Sequence, residues 1–401
     1  MSNQFQSHKI KTIKKYCLYI FTIILIVSCK KLDLSKPIVT CSGSKQSFKY
    51  NKAAKLKEIL DKYTKHGIPG VSMVVKTTTQ EWAGASRFAK IEDQTSMEIC
   101  NLQFAQSIVK SYAVVIVMML YENGKINLDN PIKNYLPTSI SNHITNSDKI
   151  TVKMLLNHTS GIFDYAYDYS YSANLLSNQD EIFTYLKLLS YAYDKKSEFE
   201  PGSKYSYCNT NYLLLALMVN EITGKDHSVM MTNCIFKPLK LTHTFYKNES
   251  GYLNYPELVN SYLNRRSDNK IENVTMTQVN NVISMIGDDG IVATPMDYVY
   301  FLDGLVHGKL LRNETLDLMR NWVNDKNGKP VYGLGLAYRT QNNNWGYGHG
   351  GSGIGAGAIL FYFPEKDVTI FVGVNIGTLI EGHYKVLYDN MKDELLNIVL
   401  E

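Results

Sequence analysis

The sequence is poor in the residues and patterns that mark metalloproteins and nucleic-acid binders. Cysteine is scarce, six in 401 residues, and no Cys-x-x-Cys occurs. The nine histidines do not cluster with cysteines or carboxylates. That scatter argues against a zinc or iron site. The net charge is only +5, and beyond the N-terminus the lysines form no basic block. A nucleic-acid binder would gather its positive charge on one face, so nucleic acid is not expected as a partner. No internal repeat or low-complexity tract is present. With 45% hydrophobic and 20% charged residues, the composition is ordinary for a globular protein.

A long apolar run is also missing. Residues 16–27 form a run of about 12 apolar residues, too short for a helix across a hydrocarbon layer of about 30 Å. Lys9, Lys11, Lys14 and Lys15 precede it, and Ile26-Val27-Ser28-Cys29 ends it. Basic start, short apolar run and small residues describe a secretory signal. Its ending resembles a bacterial lipobox, which makes Cys29 the lipidated first residue of the mature chain. The expectation is an exported lipoprotein of the cell envelope or periplasm, held to a membrane through Cys29. Cys17 falls inside the signal, leaving Cys41, Cys100, Cys208 and Cys234. Export permits disulfides, but these four show no short paired spacing.

The chain divides into a signal (1–28), a polar tether (29–50) and a folded part (51–401). In the folded part, Ala53, Leu56, Ile59 and Leu60 recur at helical spacing and stop at Gly67. Residues 70–76 and 82–88 read as strands. Residues 107–121 are apolar on nearly all sides, the mark of a core helix. Residues 130–290 read mostly as helices and loops, with helices expected at 152–157, 180–189 and 211–223. Consecutive strands are expected at 332–338, 346–350, 356–363 and 368–374, with a hairpin loop at 364–367. A last helix spans about 381–399. The fold class is α+β: an antiparallel sheet flanked by the first and last helices, with a mostly helical inserted lobe. The α/β lobe takes about 51–106 and 291–401, and the helical lobe about 107–290. A cleft between two such lobes is a natural binding site.

Three short elements can carry chemistry. Ser-x-x-Lys puts a hydroxyl and an amine on one helical face. The amine can take the serine proton only if burial or nearby positive charge lowers its pKa. The pattern occurs four times, at Ser28, Ser42, Ser107 and Ser267. Only Ser107–Lys110 opens an apolar helix, where the lysine is desolvated and the helix dipole favours developing negative charge. Tyr207-Cys208-Asn209 follows a Pro201-Gly202 turn and precedes an apolar helix, which sets Tyr207 at a helix mouth. Cys208, the small middle residue, is expected to pack inward. His349-Gly350-Gly351, followed by Ser352, lies between strands, where glycine allows close approach to a strand edge.

In order and spacing these elements resemble the serine β-lactamase and penicillin-binding-protein family, in particular its class C-like branch. That branch includes D-Ala-D-Ala carboxypeptidases, D-aminopeptidases and esterases. Residues 150–162, ending in His158-Thr159-Ser160-Gly161-Ile162, residues 287–294 with Asp297, and Ile68-Pro69-Gly70 are further points of likeness. The resemblance runs from about residue 51 to the C-terminus. It implies a β-lactamase/transpeptidase-like fold and an acyl-enzyme formed on Ser107. Lys110 and Tyr207 would share the proton transfers. Asn209, His349 and Gly351 would bind substrate, and the backbone N–H groups of Ser107 and Ser352 would form the oxyanion hole. No metal or organic cofactor is implied. The partner is a small molecule or peptide, with peptidoglycan fragments as one source. Alternatives within the resemblance are a non-catalytic binder of penicillin or wall peptides and a true class C-like β-lactamase. One departure bears on that choice. His349 stands where β-lactamases of this type carry lysine, so a permanent positive charge is lost.

Overall fold

The computed structural model describes residues 50–178, 180–246, 251–266, 268 and 270–401. The signal, Cys29, the tether up to residue 49 and Ser28, Ser42 and Ser267 lie outside the described residues. The principal helices are α1 (Ala53–Lys65), α2 (Val109–Glu122), α3 (Asn209–Thr223), α4 (Pro295–Val306) and α5 (His383–Leu400). The long strands are β1 (Gly70–Thr77), β2 (Glu81–Lys90), β3 (Ala337–Gln341), β4 (Asn344–Ser352), β5 (Gly357–Phe363) and β6 (Val368–Val374). Among the described residues, no helix is long and apolar enough to cross a membrane.

The strands form one nine-stranded sheet. Its order is Thr95–Ser96, β2, β1, β6, β5, β4, β3, Pro330–Tyr332 and Val323–Asn324, every neighbouring pair antiparallel. The two ends of the sequence meet in its middle: β1 pairs with β6 from Val71↔Val374 to Thr77↔Val368. Alternation along the strands sorts side chains to two faces. Val71, Met73, Val75, Ile370 and Val372 pack under α1 and α5. Val74, Leu360 and Phe371 face α2 and α4, where Tyr298 of α4 stacks on Phe371 with ring centres 4.9 Å apart. A sheet covered on both faces needs apolar residues on both, and β1 is buried over its first six residues, Gly-Val-Ser-Met-Val-Val.

Helix α2 runs through the larger core and is buried on almost every side. The remaining elements among the described residues are short helices, the three-stranded sheet Gln103–Phe104, Val292–Ala293 and Thr244–Phe245, and one small hairpin (Tyr262–Leu263 with Glu272–Asn273).

Three local expectations are corrected. The strand expected at 332–338 is broken. Gly333 N–H bonds Leu336 O, and Gly335 takes a left-handed φ of +72° against Val114. Only Pro330–Tyr332 and β3 stay extended. The helix expected at 180–189 shrinks to Tyr185–Ser190. Thr184 Oγ1 caps it, and Phe183 N–H donates to Ser284 Oγ, which ties the chain ahead of it to another segment. Ser107 lies in a 3-10 turn, Gln106–Ile108, ahead of the α-helix proper.

Candidate active site

Gln106 precedes the serine with a φ of +53°, a conformation costly for a side chain with a Cβ. Another part of the chain packs closely against this turn. A Cβ on Gly351 of β4 would lie 2.1 Å from Ala105 O, so only glycine lets the strand lie against this turn. Strand β3 pairs with β4 only from Gln341↔Asn344 to Ala337↔Gly348. Residues 349–352 pair with β5 on one side, and their other edge borders a cavity of about 610 Å³. Ser107, Tyr207, Asn209, His349, Gly351 and Ser352 all line this cavity, so the three sequence elements meet there.

Lys110 is fully buried. Its Nζ lies 3.0 Å from Ser107 Oγ, 2.9 Å from Asn209 Oδ1 and 2.7 Å from the carbonyl oxygen of Asp288. Two of these partners can only accept. Asn209 is held in that orientation because its Nδ2 donates to Asp164 Oδ2 at 2.9 Å, and a carboxylate cannot return the bond. A neutral Lys110 therefore spends its two N–H bonds on Asn209 and Asp288. Its lone pair is left pointing at Ser107 Oγ–H. Burial pushes the Lys110 amine below the usual lysine range, while Asp288, Asp289 and Asp164 pull the other way.

Tyr207 hydrogen-bonds Ser107, and burial holds its phenol far above the ordinary range, so it is a neutral O–H at physiological pH. Lys110 Nζ sits 5.1 Å from the Tyr207 ring centre. Cys208 points inward, its Sγ 3.4 Å from Ile162 O. The Cys208 N–H donates to Nδ1 of buried His158 at 3.0 Å, which fixes the imidazole tautomer, and that ring lies tilted against Tyr207 with ring centres 4.3 Å apart.

His349 is also buried, and both of its nitrogens are engaged within the protein. Nδ1 lies 2.5 Å from Gly350 O and Nε2 2.8 Å from Tyr332 Oη. The carbonyl can only accept, so Nδ1 carries the proton and Nε2 takes the phenol's. Burial, then Lys110, pushes the His349 pKa down to about 3. The residue that stands in place of a lysine is therefore neutral in this setting.

Sequence reasoning did not assign a role to Asp164, His158, Asp288, Asp289 or Tyr332. Asp164 orients Asn209 through both its backbone N–H and its amide. Asp288 offers its carbonyl to Lys110. Burial raises the carboxyls of Asp164 and Asp288 and pushes Asp289 up to about 7. His158 and the Asp288-Asp289 pair stood inside segments already noted for their likeness. Nothing local told which of their atoms would face the lysine. Among the described residues no His, Cys, Asp and Glu are grouped as metal ligands.

The family model for beta-lactamase matches residues 54–385. The chain belongs to the beta-lactamase family. Its fold is shared with solved structures. A D-stereospecific amidohydrolase from Streptomyces sp. superposes with a TM-score of 0.72 at 23% identity, over 84% of this chain and 98% of the other. The D-amino acid amidase of Ochrobactrum anthropi SV3, complexed with L-phenylalanine amide, gives 0.75 at 22% identity over 86% and 97%. A relative in Escherichia coli (strain K12), named "Putative D-alanyl-D-alanine carboxypeptidase", is 25% identical over 241 residues, 57% of this chain and 55% of that protein. The chain thus matches a little over half the length of that relative.

Proposed function

We propose that this beta-lactamase-family protein is a serine hydrolase that cleaves an amide or ester through an acyl-enzyme on Ser107. The arrangement of Lys110 carries the reading: a buried amine 3.0 Å from Ser107 Oγ whose other two partners are carbonyl oxygens, so that its neutral form turns the lone pair to that one hydroxyl. Ser107 Oγ bonds to the substrate carbonyl carbon as its proton passes to Lys110. The carbonyl oxygen becomes an oxyanion, met by the backbone N–H groups of Ser107 and Ser352. Each such donor is worth roughly 3 kcal/mol of barrier. The leaving amine or alcohol departs with a proton relayed through Tyr207. Water then adds to the acyl carbon, giving a proton to the Tyr207–Lys110 pair, and the acid leaves as Ser107 regains its hydrogen. Asn209 is first the support for Lys110, with one amide hydrogen left for substrate.

The substrate class is a peptide, amide or ester of the D-amino-acid kind. The names of the amidase, amidohydrolase and carboxypeptidase relatives support it. A neutral His349 supports it too, because β-lactams of the usual kind present a carboxylate that gains from a fixed cation. Losing one charge-assisted contact costs about 1.5–3 kcal/mol. We expect nitrocefin to be turned over roughly 10- to 100-fold more slowly than the best p-nitrophenyl ester or amino-acid amide. A panel of the three compound classes checks this, and nitrocefin emerging as the best substrate contradicts it.

The same reading places the enzyme outside the cytoplasm, anchored by a lipid on Cys29. The N-terminal pattern supports export, and so does Cys100, which is disulfide-bonded. Cys29→Ala is expected to move the protein from the membrane fraction to the soluble fraction of the envelope. Unchanged membrane recovery would remove the anchor from the account.

A further inference from the structure

Lys110 Nζ has two carbonyl partners, the Asn209 amide and the Asp288 main chain. An acceptor directs an amine only if it is itself held. Asp164 holds the Asn209 amide. The Asp288 carbonyl stands in a turn that is held from elsewhere.

Gly287 and Gly290 flank Asp288-Asp289, and both take a left-handed φ, +82° and +117°. A Cβ on Gly287 would lie 2.4 Å from Tyr212 O and 2.9 Å from Ala216 Cβ, both on α3. A Cβ on Gly290 would lie 3.0 Å from Cε2 of the Tyr246 ring. Glycine at these two positions lets the turn lie between α3 and Tyr246. The Gly287 N–H donates to Tyr246 Oη at 2.7 Å. It can only donate, so it takes a lone pair of the phenol. Burial keeps that phenol protonated. Its hydrogen is left for His227 Nε2, 2.5 Å away. Both rings are buried and meet edge to face with centres 5.0 Å apart. His227 opens the helix His227–Met231, and its Nδ1 faces Asp226 Oδ1 at 3.6 Å.

Tyr246 is not part of the cavity wall. Its reach to Ser107 runs through the turn: from the Gly287 N–H to the Asp288 carbonyl, then to Lys110 Nζ at 2.7 Å and on to Ser107 Oγ at 3.0 Å. We propose that Tyr246, oriented by His227, is a positioning residue that aims the Asp288 carbonyl at Lys110 and so turns the amine's lone pair to Ser107. It does for Asp288 what Asp164 does for Asn209. This rests on Lys110 being the base in the acyl-enzyme reading of the site.

The test uses the full chain. Tyr246→Phe keeps the ring and removes the hydroxyl. A misplacement of about 1 Å costs up to about 100-fold in rate, so kcat on the best ester or amide, and the rate of labelling by a fluorophosphonate, are expected to fall roughly 10- to 100-fold. KM should stay within about twofold, because the groups that meet substrate remain. His227→Leu leaves the phenol without its acceptor and should lower kcat by about 3- to 10-fold with the same steady KM. A residue that only stabilises the fold would slow every background alike, so a double-mutant cycle decides the matter. With Lys110→Met in place, adding Tyr246→Phe should slow labelling by less than about twofold, because the base it positions is gone. Equal slowing with and without Lys110 would overturn the proposal. So would wild-type kcat in both Tyr246→Phe and His227→Leu. Should circular dichroism show Tyr246→Phe unfolded, the cycle with His227→Leu gives the same decision. Labelling of Lys110→Met at the wild-type rate, or no labelling of the wild type, would overturn the underlying reading instead.

Discussion

Ser107→Ala is expected to lower kcat/KM on the best ester or amide by about 10⁴-fold or more, while the protein stays folded. Removing a nucleophile that acts with its base as one unit forfeits the covalent route, not merely one contact. The side chain itself is small, and its partners Lys110 and Tyr207 keep other bonds or packing. Thermal stability should therefore change little. Kinetics on both proteins, with circular dichroism as the control for folding, decide it. A variant that keeps a tenth of the activity would show that Ser107 is a bystander.

Lys110→Met is the second large effect, and its character differs. Methionine keeps much of the length and buries without charge, but it cannot take a proton from Ser107. Positioned proton transfer contributes about 10² to 10⁴ in rate, so acylation should slow by that range and still be measurable, because the serine and both oxyanion donors remain. The carbonyl of Asp288 and Oδ1 of Asn209 lose their donor. A buried acceptor without a partner costs about 1–3 kcal/mol, offset in part because no buried amine must be desolvated. A slow but finite reaction with a fluorophosphonate is the expected signature, against none for Ser107→Ala. Acylation at the wild-type rate would mean that another group is the base.

The parts of the fold visible in the sequence are those written as local patterns. Helix α1 follows the spacing of Ala53, Leu56, Ile59 and Leu60, and strand β6 occupies 368–374 as its apolar run suggests. Where distant packing decides, the sequence misled or was silent. Gly333 and Gly335 stand inside the stretch expected as one strand, and the turn there depends on the Met319 and Leu156 carbonyls, which accept from the N–H groups of Leu334 and Gly335. Gln106 carries no mark of a left-handed residue. The turn it belongs to packs against Gly351, which lies far along the chain. The site was legible as three motifs. The carboxylates behind them were not, because Asp164 and Asp288 act through an amide and a backbone carbonyl that no spacing rule connects to Lys110.

Acylation at Ser107 can be located directly. The full chain is treated with a fluorophosphonate, digested, and the modified peptide is located by mass spectrometry. A single adduct is expected on the peptide containing Ser107, and none in Ser107→Ala. An adduct on any other residue, or one that persists in the variant, would contradict it.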